Sequence, residues 1–251
     1  MKTLKNKVAL VTGASSGIGA GVAIAFAKEG ADVAINYLGK AQEKSARAVA
    51  AAVRKAGRTA YLVQADVSKD LSVKQMIAKA LRKFKRIDIL VNNAGIGHSA
   101  AIEDMTVAQW DKMIATNLRS VFLTTHYVLP HMYARDYGKI VNNASQLAHL
   151  GSPGLSHYTA AKAGIISFTR SLSREIGARN VNANCVAPGA TQTPILAGVP
   201  DAHLDAIRAN IPKGRIAEVS EIVPAFVYLA SDEACHMVGQ TISPNGGDVF
   251  L

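Results

Sequence analysis

Short apolar runs rich in β-branched residues alternate along this chain with longer stretches of helical periodicity. Val8–Val11 is such a run, apolar positions recur at helical spacing from Gly17 to Lys28, and after a stop at Gly30 a second run begins with Asp32–Ile35 and ends at Asn36-Tyr37. The alternation continues with a helix over 42–55, a strand over 59–64, a helix over 71–84 and a strand over 87–91. Beyond it the spacing predicts helices over 107–117 and 119–133, a strand over 139–143, a helix over 156–177 and a strand over 181–186. Strands that alternate with helices in this way predict a doubly wound parallel sheet covered on both faces, a three-layer α/β/α architecture.

No linker-like or low-complexity tract divides the chain, so residues 1–251 are read as a single domain. The alternation is interrupted late, over residues 187–215, where four prolines flank a polar, helix-capable piece. A substrate lid around residues 190–215 is expected there.

Composition narrows the class. Hydrophobic residues make up 49% of the chain and charged residues 18%, which excludes a disordered segment. The two cysteines, Cys185 and Cys235, lie far apart without a Cys-x-x-Cys partner, and His126 and His131 are five apart, so neither a disulfide framework nor a metal site is expected. No apolar run approaches the roughly 20 residues of a membrane helix, and the apolar part of Met1–Val11 is too short for a signal peptide. The expectation is a cytoplasmic protein with no membrane partner. The net charge of +10 gathers in residues 40–55 and 79–86, but no helix-turn-helix, zinc-finger or stacking-aromatic pattern accompanies it. Nucleic acid is therefore not the expected partner; an anionic cofactor or carrier suits the charge better.

The chemistry starts at TGASSGIG, residues 12–19, directly after the first strand. Gly13, Gly17 and Gly19 allow a tight turn and a close backbone approach to a pyrophosphate, and the following helix aims its amino-terminal amides at the anion. The alternative reading is a structural turn, but strand before and helix after are what a Rossmann-like dinucleotide site requires. Ser15, Ser16 and Ile18 belong to the same turn. Further along, Tyr158 and Lys162 are four apart in a predicted helix and share one face. An ammonium beside a phenol favours the tyrosinate and is expected to lower its pKa toward working pH.

The spacing of TGASSGIG resembles that of the short-chain dehydrogenase/reductase family, and the likeness runs through the whole chain: Asp66-Val67, NNAG at 92–95, Asn117, Ser145, YTAAK at 158–162 and Pro188-Gly189 stand in the family's order. The resemblance implies that Tyr158 exchanges a proton with a carbonyl oxygen and that Ser145 donates a hydrogen bond to the same oxygen. Lys162 would hold the nicotinamide ribose and Asn117 a water in the proton path. It also assigns cofactor contacts to Asp66 and Val67, to Asn93, Ala94 and Gly95, and to Pro188, Gly189, Thr191 and Thr193. Where NAD-preferring members carry an acid at the end of the second strand, this chain has Asn36 and Tyr37, with Lys40 and Lys44 following. NADP(H) is therefore the expected cofactor, with NAD(H) second.

Pattern is closest to 3-oxoacyl-ACP reductases and related carbonyl reductases. Gln146, His149 and Leu155, with Ser145 and Tyr158, would line the substrate cleft, and Gln146, His149 and His157 make residues 145–157 polar for an acyl channel. His149 and His157 are read as pocket-lining or surface residues. Arg174 matches a carrier-docking position, whereas Asp136 opposes docking, with Arg135 beside it. The resemblance thus implies a carbonyl reductase acting on a small ketone, ketoester or 3-oxoacyl thioester of acyl carrier protein or CoA. An oxidative sugar or secondary-alcohol dehydrogenase is the alternative and a non-enzymatic dinucleotide sensor the third reading. A homotetramer, packed through the 119–133 and 156–177 helices and the chain end, is also implied.

Overall fold

The computed structural model describes residues 3–197 and 199–250. Its strands are β1 (Val8–Val11), β2 (Asp32–Tyr37), β3 (Ala60–Gln64), β4 (Ile89–Asn92), β5 (Gly138–Asn143), β6 (Val181–Val186) and β7 (Thr241–Ile242). They form one parallel sheet in the order β3-β2-β1-β4-β5-β6-β7. The chain thus builds outward from β1 to β3, then returns to the other side of β1 with β4. This reversal opens a crevice beyond the carboxyl ends of β1 and β4, where sheets of this kind receive their ligands.

Alternate residues of each strand feed two different cores. Ala9 and Val11 of β1, Val33 and Ile35 of β2, and Ile89 and Val91 of β4 pack with α1 (Gly17–Lys28), α2 (Lys40–Lys55) and, near the far end of the chain, α9 (Val219–Ala230). Leu10, Ala34, Val63 and Leu90 point the other way, onto α3 (Asp70–Phe84), α5 (Ser120–Ala134) and α7 (Ser156–Ile176). Because side chains alternate with period two, a strand with helices on both faces must be apolar at every position, which is why these runs are continuous. The remaining helices are α4 (Val107–Ile114), the four-residue α6 (Leu147–Leu150) and α8 (Asp201–Asn210).

Two elements differ from the sequence expectation. No break separates helices at Leu118: a π-helical turn over Ala115–Arg119 carries α4 directly into α5. Neither proline nor glycine stands there to end the helix, and one wider turn absorbs the change in phase. β7 was not expected because two residues are too few to show a period. The segment expected as a lid contains α8, and Thr191 forms a single bridge with Ala217 at its base.

The opposite, amino edge of the sheet is closed by Asp88. Its fully buried carboxylate accepts from the Val8 amide at 2.8 Å, from Arg86 Nε at 2.7 Å and from Arg135 Nη1 at 2.8 Å, joining β1, the entry to β4 and the end of α5. Both arginines keep about a third of their side chains in water, so the ion pairs are partly screened, but the bond to the Val8 amide is buried. Asp88→Ala is expected to lower the unfolding free energy by about 2–3 kcal/mol. Urea denaturation checks this, and a loss below about 0.5 kcal/mol, the ordinary surface range, would contradict it.

Candidate active site

The carboxyl edge carries a line of buried amides. Thr12, the last residue before the glycine turn, donates its hydroxyl to Val91 O and accepts from the amides of Asn93 at 2.9 Å and Ala94 at 3.0 Å. Asn93 Nδ2 donates to Thr12 O and Gly13 O, and Asn93 Oδ1 accepts from Asn143 Nδ2 at 3.0 Å. The Gly13 amide in turn donates to Asn36 Oδ1 at 3.1 Å, and Asn36 Nδ2 reaches the carbonyls of Tyr37, Val63 and Ala65. One network therefore fixes the ends of β2, β1, β4 and β5 against one another.

The glycines are required by this closeness. Gly13 has φ +60°, and a β-carbon on it would lie 2.7 Å from Ala94 Cα. A β-carbon on Gly19 would lie 2.3 Å from Asn93 Nδ2, so α1 approaches the network as only glycine permits. Ser16 stands at the N-cap of α1 with no side-chain capping bond, which leaves the first amides of the helix and the exposed Ser16 hydroxyl free for an anion. Ser15 is buried beside them, and Ile18 packs partly against the core. Thr193 lies over this turn, its Cγ2 3.3 Å from the β-carbon position of Gly17. The donor set fits a dinucleotide pyrophosphate.

Across the crevice, Lys162 Nζ donates to Asn143 O at 2.6 Å and lies 5.7 Å from the centre of the Tyr158 ring. Complete burial lowers the Lys162 pKa to about 8. Tyr158 is only part-covered by area, yet burial raises its pKa, with the Ser145 hydroxyl pulling the other way by hydrogen bonding. The expectation that Lys162 lowers the phenol's pKa is corrected: desolvation dominates, and the ammonium is itself disfavoured and turned toward a carbonyl. Tyr158, Lys162 and Ser145 nevertheless come together, Ser145 just past β5 and the other two on one face of α7.

The other predicted residues divide into those that face the crevice and those that support it. Asn117 sits in the π turn with its side chain bound to both backbone groups of Ile96, Ile96 N to Oδ1 at 2.8 Å and Nδ2 to Ile96 O at 2.9 Å. Its amide thus anchors the loop after β4. Gly95, immediately before Ile96, is exposed. Asp66 uses one carboxylate oxygen to accept from Ser68, and Val67 is buried in the core. Pro188 is buried and Gly189 packs on Asn245, while Thr191 donates to Gly189 O.

Some of the assigned residues are turned inward. The Asn36 side chain has every polar atom engaged and is 2% exposed, and Tyr37 packs with the core. His157 is not a surface residue either, being fully buried against His98. On the substrate side Gln146 is buried, its Nε2 donating to the Asp248 carboxylate, while His149 is exposed on α6 and Leu155 is part-buried at the start of α7. Sequence reasoning missed Thr12, Asn143, His98 and Asp248. A polar residue ending an otherwise apolar strand was the available signal for Thr12 and Asn143. Among the described residues there is no cluster of three metal-ligating side chains and no helix long and apolar enough to cross a membrane.

A family model described as enoyl-(acyl carrier protein) reductase matches residues 13–248. The chain is 39% identical to the 3-oxoacyl-[acyl-carrier-protein] reductase of Staphylococcus epidermidis over 242 residues, 96% of this chain and 98% of the relative. It is 37% identical to the enzyme of that name from Thermotoga maritima, covering 98% of this chain and 99% of the relative. Among solved structures, a putative short-chain alcohol dehydrogenase from Sinorhizobium meliloti superposes with a TM-score of 0.94 at 32% identity, covering 98% of each chain. With the parallel sheet, the glycine turn at its switch point and the serine, tyrosine and lysine gathered across from it, these likenesses make the chain an oxidoreductase belonging to the short-chain dehydrogenase/reductase family.

Proposed function

We propose that the protein is an NADPH-dependent carbonyl reductase in which Tyr158 is the proton donor. The observation that carries this reading is the meeting of Ser145, Tyr158 and Lys162 at one end of the network whose other end holds the glycine turn. A bound nicotinamide dinucleotide supplies a hydride from C4 of its ring. The rest falls to the chain. Ser145 Oγ donates to the carbonyl oxygen as negative charge develops there. Tyr158, kept protonated by burial, delivers its phenolic proton to that oxygen. Lys162 has further N–H donors for the ribose hydroxyls, and the Asn117 main chain is suited to hold a water behind it. The region around residues 190–215 acts as the lid over one domain.

NADPH is favoured because no carboxylate stands at the end of β2 to repel a 2′-phosphate, while Lys40 and Lys44 are exposed in the first turns of α2. The relatives' names support a 3-oxo substrate. Support for a carrier protein is weaker: Arg174 is exposed, but Arg135 is held by Asp88 and is not available to offset Asp136. A small ketone or a thioester without its carrier is the better fit. Exposed Phe122 on α5 and Val238 and Phe250 at the chain end support a homotetramer.

Tyr158→Phe is expected to reduce kcat for small 3-oxo esters by about 10²–10⁴-fold with NADPH binding, followed by nucleotide fluorescence, retained. Full turnover would remove Tyr158 from its role. The wild type should prefer NADPH over NADH by about tenfold or more in kcat/KM, and the double variant Lys40→Ala, Lys44→Ala should lose that preference.

Lys162 carries a stability signature of its own. Its folded pKa of about 8 lies below the ordinary 10.5, so between those values the unfolded chain binds more protons and stability rises with pH. The cost of the buried ammonium is complete below about pH 8. Lys162→Met is therefore expected to be more stable than the wild type at pH 7 by about 1–3 kcal/mol, with the advantage shrinking as pH rises from 8 to 10.5. A pH-independent difference in urea denaturation would contradict this.

A further inference from the structure

The loop after β4 meets the loop between α6 and α7, together with the first turn of α7, at three points. His98 and His157 face each other with Nε2 to Nε2 at 3.1 Å, their rings edge to face with centroids 4.6 Å apart. The Ala100 amide donates to Gly154 O at 2.9 Å. Gly154 has φ +73°, and a β-carbon on it would lie 2.3 Å from Ser99 Oγ. The first loop is also tethered before this contact, where Asn117 holds Ile96 and Gly97 packs on Ile195 of the lid segment. The second runs directly into Tyr158.

Chemistry makes the histidine contact conditional. Two imidazole nitrogens at this distance bond only when one of them carries a proton, so the neutral and singly protonated pairs hold together and the doubly protonated pair does not. Nδ1 of His157 is buried without a hydrogen-bond partner, leaving Nε2 as the atom that ties the ring to the neighbouring loop. The elements packed against α7 carry Asp111 and Lys112 on α4, Arg119 in the π turn, His149 on α6 and Lys139 on β5, and α7 itself carries Lys162. Burial lowers the His157 pKa, and the charge that acts on the ring is that of His98.

We propose that His98 and His157 are a specificity-determining pair that clamps the two loops into an end wall of the substrate cleft, limiting the enzyme to short 3-oxo or other small ketone substrates. The proposal rests on the carbonyl-reductase reading above. On this reading a long acyl chain leaving the reacting carbonyl would run toward this contact, which joins the loop after β4 to the residue next to the proposed proton donor. Removing it frees a stretch that contains Gly95 and Gly97 and is otherwise held through Ile96 and Ala100.

The test compares kcat/KM for four-carbon and eight-carbon 3-oxoacyl thioesters of N-acetylcysteamine. In the wild type the four-carbon substrate is expected to be favoured by about tenfold or more. His98→Ala should cut that ratio about tenfold, chiefly through a lower KM for the longer chain. His98→Asn, whose amide can donate to the same His157 nitrogen, should restore it. A loss of packing without a clamp would slow both substrates alike and would not be rescued. A second readout is pH: the chain-length ratio of the wild type should fall on the acid side, below the ordinary imidazole range, as the second proton enters, and the ratio of His98→Ala should not follow it. An unchanged chain-length ratio in His98→Ala, or a wild type indifferent to length, overturns the proposal alone. A wild type that reduces no ketone of either length with NADPH or NADH overturns the reductase reading and the proposal with it.

Discussion

A buried side-chain amide carries two donors and an acceptor, and each left unpaired costs about 1–3 kcal/mol. At the carboxyl edge of this sheet that cost is avoided only when four strands stand in fixed register. Asn36 binds the glycine turn and the ends of β2 and β3, Asn93 binds the turn and β5, and Asn143 offers its side chain to Asn93 and its carbonyl to Lys162. One layer further in, Asn92 Nδ2 donates to Asn142 Oδ1, and Asn142 Nδ2 donates to Thr169 of α7. The glycine turn and α7 are thus parts of one lattice of hydrogen bonds, to which Asn143 Oδ1, buried without a partner, is an exception.

That lattice explains why burial rather than charge pairing sets the chemistry of the site. A carboxylate beside Lys162 would stabilise its ammonium, but the lysine has a carbonyl instead and pays for a dry position with a depressed pKa. The same dryness raises the phenol of Tyr158 and preserves the proton that the proposed reduction would use. The Ser145 hydroxyl then opposes burial at the phenol, a balance between two neutral donors that water would blur.

Local pattern carried most of the fold. Continuous apolar runs announced doubly covered strands, the glycine spacing announced the tight turn, and the four-residue separation of Tyr158 and Lys162 announced a shared helix face. What sequence did not carry was direction in space. Asn36 ends a strand in the position of a ligand contact yet turns inward, because the nearest unpaired groups are backbone atoms of the neighbouring turn and strand. The pKa of Tyr158 follows from how much chain covers it, which spacing does not report. The π turn, β7 and the pairing of His98 with His157, 59 residues apart, depend on packing between distant segments.

The two halves of the site differ in how they are assembled. The cofactor side is built from residues that immediately follow strands, so its geometry comes with the sheet. The proposed substrate side draws on the His98 loop, the stretch before α7 and the chain end, where Asp248 accepts from Gln146 and Asn245 Nδ2 donates to Val249 O. These segments touch the sheet less and one another more. Substitutions there change cleft shape with little effect on the strand network, whereas a change at Asn93 or Asn143 disturbs both halves. In the proposed reading the reaction class is accordingly held by the hydrogen-bonded ends of the strands, and substrate choice by the loops beyond them.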